Sequence, residues 1–223
     1  MNAGFNANHL VFLLQGAVWT LVLSLIAFVG GGVAGFIVAL CRISPIRPLR
    51  WISTVYVQLV QGTPLLILMF LAYFGLSIVG LSLPALVAAG IAMTIYVSAY
   101  IGEIWRGCIQ AVPRTQWEAA ECLALSRTQR MGLVVLPQAL RIATPPTVGF
   151  MVQIVKNTSL ASVVGFVELT RAGQVVNNSL FEPFLVYMLV AGLYFMLCFP
   201  LSWWSRQLER RLLVGHRVEV AAA

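Results

Sequence analysis

Charge is what this sequence has least of: 9% of its 223 residues are Asp, Glu, Lys or Arg, while 60% are hydrophobic. A soluble domain carries roughly 25% charged residues, so water is excluded as the main solvent of this surface. Paired cysteines are missing as well. Cys41, Cys108, Cys122 and Cys198 stand singly, without the spacing of a zinc site or a redox motif. No Gly-rich loop followed by Lys and Ser or Thr occurs, so the chain carries no phosphate-cradling ATP motif. Residues 1–9 hold no Lys or Arg, which excludes the basic start of a secretory leader, and the apolar run that follows is read as a span. There is no fixed-period repeat and no low-complexity linker, so residues 1–223 are read as a single transmembrane domain.

What is present is apolar length. Uncharged runs cover 10–40, 51–102 and 183–205, and a membrane-crossing helix needs about 20 mostly apolar residues. The run 51–102 must turn back once, where Gly75, Gly80 and Pro84 cluster, giving expected spans at 51–76 and 84–104. A fourth is expected at 142–166, with Lys156 inside it, and a fifth at 183–205. With five spans, one side receives Arg42, Arg47 and Arg50, then Arg106, Arg114, Arg127, Arg130 and Arg141, then Arg206, Arg210, Arg211 and Arg217. That is twelve of the fourteen basic residues. Basic loops face the cytoplasm, whereas four spans would set the basic C-terminus opposite the basic central loop. The expected fold is therefore all-α integral membrane, with five transmembrane helices, the N-terminus outside, the C-terminus cytoplasmic, and short cytoplasmic helices between spans 3 and 4. The cysteines then lie in or near the cytoplasmic half, where disulfides are not expected. The net charge of +7 is read as arginines at span ends beside anionic headgroups, and nucleic-acid binding is not expected.

The loop 106–141 is the longest stretch outside the expected spans. Thr115 and Glu118 fit a capping box, and Ser126 and Gln129 fit a second. Pro137, which lacks an amide hydrogen, is expected to interrupt regular structure. The first helix, about 116–125, is rich in alanine and flanked by Arg114 and Arg127. Its small side chains permit close approach of a partner, and Glu118 and Glu121 offer charges to basic groups. A capped linker explains the same spacing equally well.

Glu118, Ala119, Ala120, Leu123, Leu125, Ser126 and the downstream Leu136, Pro137, Gln138, Ala139 and Leu140 resemble the EAA loop of bacterial ABC-importer permeases. Gln61-Gly-Thr-Pro-Leu-Leu66, Tyr100-Ile-Gly-Glu-Ile-Trp-Arg-Gly107, Lys156-Asn-Thr-Ser-Leu160 and Val167-Glu-Leu-Thr-Arg171 resemble the branch that takes up polar amino acids. The resemblance covers nearly the whole chain beyond residue 10. It implies a MetI-like permease of the bacterial inner membrane, with a periplasmic N-terminus, whose loop forms the coupling helix that docks into a separate ATPase. Glu118, Ala119, Ala120, Leu136 and Pro137 match the family's pattern directly. Ala124 departs from it, standing where glycine is usual; glycine permits a left-handed bend that alanine resists by roughly 1 to 2 kcal/mol. The resemblance further implies ABC ATPase subunits, a second permease subunit (identical or similar), a periplasmic binding protein and a polar or charged L-amino acid as substrate. ATP and magnesium belong to the ATPase, and this chain is expected to bind no cofactor, to hold no metal and to be no enzyme by itself.

Polar groups at membrane depth need partners or a wet cavity. Lys156, Asn157, Thr158 and Ser159 form a polar patch in the fourth expected span, and broken helices near mid-depth are where transporters place substrate contacts. Pro64 supplies a second break: with no amide hydrogen it is expected to leave the Val60 carbonyl free near Gln61 and Thr63. These residues are candidates for the substrate path. Local readings stand beside this one: Thr and Ser hydroxyls can bond their own helix, Gln61 can join two helices, and Lys156 can pair or reach an interface. Glu103 and Arg106, three apart on one helix, are read as an ion pair or a gate. Gly31 and Gly35 fit a small-residue packing seam. An ion-gradient-driven secondary transporter is the alternative, although it usually needs ionisable groups at depth, and Lys156 is the only clear one.

Overall fold

Apolar runs with few breakers build long helices, and the computed structural model is helical throughout, with no strand among the described residues. It describes the backbone of residues 5–221 and the side chains of 5–210 and Leu212; Ala222, Ala223 and the side chains of Arg211 and Arg217 lie outside the described residues. The helices are α1 (Ala7–Arg42), α2 (Arg47–Gly62), α3 (Leu65–Phe70), a π turn (Leu71–Gly75), α4 (Leu76–Ile78) and α5 (Ala85–Gln110). They continue with α6 (Arg114–Cys122), α7 (Arg127–Gln129), a second π segment (Arg130–Val135), α8 (Leu136–Asn157), a 3-10 turn (Thr158–Val164), α9 (Leu169–Leu180) and α10 (Pro183–Ala221).

Three stretches, Ala7–Arg42, Ala85–Gln110 and Pro183–Arg210, are long and apolar enough to cross a membrane as single helices. Two more candidates are bent pairs. Arg47–Gly62 and Leu65–Ile78 meet at 101°, and Arg127–Val164 and Leu169–Leu180 at 52°, so the described residues hold three candidate spans, or up to five if each pair counts as one. The expected span over 51–76 is bent at Thr63 and Pro64, the position at which Pro64 reads as a break. Pro64 does not leave the Val60 carbonyl free, because the Thr63 amide caps it at 3.3 Å. Pro137 does not interrupt the helix either. Its missing donor is absorbed by the π segment just before it, where the Leu136 amide reaches Met131 instead of the usual fourth residue back.

Packing centres on α1 against α5. Gly31 and Gly35 of α1 lie against Val97 and Ile101 of α5, and Gly102 of α5 lies against Val38, where an added Cβ would come within 2.8 Å of the valine side chain. The small-residue seam is therefore a helix contact. Leu23, Ala27, Met69, Met93, Val97, Ile154 and Ala161 fill one buried core, and Leu13, Leu169, Ala172 and Val186 fill a second near the start of α1. On the outer faces of α1 and α10, Val11, Val18, Leu25, Val33, Phe195 and Met196 are all exposed. Such a surface is stable against lipid and unfavourable against water.

Candidate functional site

The short helix α6 stands at the ends of α5 and α8. Pro113, fixed near φ −54°, occupies its cap position and starts the helix at Arg114, so Thr115 falls inside the first turn and makes no cap hydrogen bond. The capping box expected at Thr115 and Glu118 is therefore not formed. The second box is present: the Gln129 amide donates to Ser126 Oγ at 3.4 Å, and the Ser126 amide donates to Gln129 Oε1 at 2.9 Å.

Between them the chain turns at Ala124, in the left-handed region at φ 55°. The Ala124 amide donates to the Glu121 carbonyl at 2.8 Å and the Leu125 amide to the Ala120 carbonyl at 3.2 Å. These are the paired bonds of a Schellman termination. Alanine occupies the glycine conformation here, with strain, instead of bending the chain another way.

This element is braced. Trp117 and Met131 pack against Ile109, Val112, Val135 and Ala139, which joins α6 to the end of α5 and the start of α8. Arg130 bonds Glu121 at 2.9 Å, and Gln138 donates to Gln116 at 3.3 Å. Orientation divides the candidate residues. Ala120 is buried at 2% exposure and faces inward. Glu118, Ala119, Leu123, Ala124, Ser126 and Pro137 are exposed, while Leu125 and Leu136 are half-buried. Leu123, 74% exposed at the tip, has no apolar cover.

Glu103 bonds Arg106, as their spacing permits, and also Arg42 at 3.1 Å. Arg42 in turn bonds Thr54 and Arg106 bonds Gln110, so the cluster ties α1, α2 and α5 together. The sequence gives no local sign of Arg42, which is 61 positions away from its partner.

In the polar patch the local readings account for the hydroxyls. Thr158, fully buried, donates to the Val155 carbonyl at 2.7 Å, Ser159 donates to Lys156 at 2.7 Å, and Thr63 donates to Leu59 at 2.8 Å. Gln61 Nε2 lies 3.5 Å from the Ala99 carbonyl on α5. Asn157 accepts from Gln153 at 2.9 Å. Lys156 is exposed and has no carboxylate partner among the described residues; it lines an open groove with Gln153, Ser202, Ser205 and Arg206. No hydrogen bond among the described residues joins Gln61 or Thr63 to residues 156–159, although α3 packs on the 3-10 turn.

Two features escaped the sequence reading. Tyr96, Tyr100 and Phe150 form a ladder of rings, with Tyr100 stacked on Phe150 at 5.5 Å and Tyr96 at 4.5 Å from Tyr100. Glu168 is fully buried and caps α9, accepting from the amides of Thr170 at 2.9 Å and Arg171 at 2.8 Å and from the Tyr194 hydroxyl at 2.7 Å. The adjacent Leu169 amide donates to buried Thr20 of α1 at 3.2 Å. A lone Glu at the end of an apolar run was the available signal.

Long apolar helices, two broken candidate spans and a braced helix at their ends define a polytopic helical membrane protein. Residues 31–214 match the model of the family described as "binding-protein-dependent transport system inner membrane component". The chain belongs to that family and is a permease component of an ATP-binding-cassette importer. It is 38% identical over 212 residues to the probable glutamine ABC transporter permease GlnM of Bacillus subtilis, covering 95% of this chain and 98% of GlnM. It is 36% identical to the L-cystine transport system permease TcyB of the same organism, covering 88% and 85% respectively. A crystal structure of an amino acid ABC transporter with histidines superposes with a TM-score of 0.87 at 32% identity, covering 92% of this chain and 95% of that one. The inward-facing methionine transporter MetNI, at a TM-score of 0.75 and 20% identity over 92% of this chain and 99% of that one, shares the fold. Family membership disfavours the ion-gradient-driven alternative.

Proposed function

We propose that this chain is half of the translocation unit of a bacterial inner-membrane importer for polar or charged L-amino acids. Its N-terminus is periplasmic and its C-terminus cytoplasmic, with each bent pair serving as one of five spans. A periplasmic binding protein delivers the substrate, a second permease subunit completes the pore, and separate ATPase subunits supply ATP and magnesium. The similarity to permeases named for glutamine and cystine supports the substrate class.

The observation that carries the coupling role is the two-sided character of α6. Its outward face offers Glu118, Ala119 and Leu123 to a partner, while on its inward face Ala120 is buried and Trp117 packs against α5 and α8. A push on α6 is thereby passed to two membrane helices by packed side chains. Leu125, Ser126, Leu136 and Pro137 hold the following turn and helix start, and Ala124 sets the angle between them. In the substrate path, Lys156 offers an exposed polar group and Asn157 a half-buried one bonded to Gln153, with Gln61 and Thr63 at the break of the second span. Thr158 and Ser159 hold the 3-10 turn through their bonds to the preceding turn. Glu103 with Arg42 and Arg106 acts as an anchor of helix ends more than as a gate, because both its oxygens are already bonded.

Bulk on each face of α6 tests this. Ala119→Trp is expected to abolish substrate-stimulated ATP hydrolysis in proteoliposomes while the permease remains folded. Ala120→Trp is expected to lower the yield of folded permease. Full stimulation in folded Ala119→Trp complexes would remove α6 from the coupling role.

A further inference from the structure

Between the end of α1 and the start of α2 lies an open cavity of about 470 Å³, lined by Arg42, Arg47, Arg50, Trp51 and Thr54. Its charge is one-sided. Glu103 is the carboxylate that meets this cluster, and it is shared between Arg42 and Arg106. Among the described residues Arg47 and Arg50 have no acidic partner, and both are exposed. They also occupy the first turn of α2, whose amides already present positive charge, and no acidic residue stands there to offset it. Two guanidinium groups held beside a third, in a cavity, match the oxygens of a phosphate diester.

The apolar surroundings select the source of that phosphate. Trp51 is 68% exposed on the rim, Ile52 and Leu59 project from the same helix at 59% and 66%, and Ile46, just before it, is 58% exposed. A tryptophan between basic groups and exposed aliphatic side chains marks the headgroup level of a bilayer. A soluble anion would use the arginines and leave this apolar surface bare, whereas a phospholipid satisfies both. We propose that this cavity binds the headgroup of an anionic phospholipid, with its acyl chains along α2. The inference rests on spans ending near residues 40 and 51, and does not depend on which side of the membrane they face.

Trp51 reports on the site directly. The assembled permease and ATPase complex is placed in nanodiscs of phosphatidylcholine with added phosphatidylglycerol, either lipid being brominated near the headgroup end of its chains. The Trp51 signal is the difference between wild type and Trp51→Phe. Brominated phosphatidylglycerol is expected to quench that signal at lower mole fraction than brominated phosphatidylcholine. The preference is expected to fall roughly 5-fold for each of Arg47→Gln and Arg50→Gln, and to fall less in the matched Lys variants, which keep the charge without the planar fork and control for folding. Equal quenching by the two lipids overturns the proposal, as does a preference undiminished in the Gln variants. Loss of the wild-type preference on adding millimolar inorganic phosphate would assign the cavity to free anions and overturn the lipid assignment.

Discussion

Replacing Ala124 by glycine is expected to tighten the turn after α6. Alanine at φ 55° carries roughly 1 to 2 kcal/mol of steric strain in the left-handed region. Glycine relieves it but loses about 0.5 to 1 kcal/mol more chain entropy on ordering. The net gain is about 1 kcal/mol, confined to a turn whose integrity rests on the bonds from the Ala124 and Leu125 amides to Glu121 and Ala120. Those two amides report it by hydrogen exchange, since local opening governs their rates. In Ala124→Gly, residue 124 and Leu125 are expected to exchange roughly fivefold more slowly, with amides in α1 and α5 unchanged. Ala124→Val, β-branched and worse in this conformation, is expected to exchange faster than wild type. Unchanged or faster exchange in the glycine variant would refute the claim that alanine is strained here.

Other expectations follow from packing and capping. Gly102→Leu drives a side chain into Val38 across the α1 and α5 seam, and is expected to destabilise by about 1 to 3 kcal/mol and lower the thermal midpoint in detergent. Gly32→Leu, with nothing within 4 Å of its added Cβ, is the control and is expected to match wild type. Ser126→Ala removes the cap bonded to the Gln129 amide and is expected to cost about 1 kcal/mol, visible as faster exchange of the 126–130 amides. Thr115→Ala is expected to change nothing measurable there, because Thr115 caps no helix.

Composition made the membrane class legible, and the uncharged run 10–40 falls inside α1, while α5 and α10 run on past the charge-free stretches that marked them. Helix breaks were harder to read. Pro64 and Pro137 carry the same local chemistry, yet one sits at a 101° bend and the other inside a continuous helix. The difference lies in the neighbourhood: Gly62 and Thr63 end α2 before Pro64, while a π segment accommodates Pro137. Thr115 and Ser126 carry equivalent capping patterns, but Pro113 preempts the first by starting the helix two residues early. The candidate loop was legible because its motif is local. Arg42 meeting Glu103, Glu168 meeting Tyr194, and Tyr100 stacking on Phe150 were not, because each depends on contacts between elements that no spacing along the chain encodes.

Contact between the outer face of α6 and a cytoplasmic ATPase has a built-in probe. Cys122 lies on α6 and is exposed, whereas Cys198 is buried and Cys41 and Cys108 are half-buried. A benzophenone maleimide attached at Cys122 in the assembled complex is irradiated, and the cross-linked partner is identified by mass spectrometry. A cross-link to the ATPase subunit is expected, with labelling of Cys122 only from the cytoplasmic side of oriented vesicles. Cross-linking to the periplasmic binding protein, or labelling by an impermeant maleimide from the periplasmic side, would contradict it.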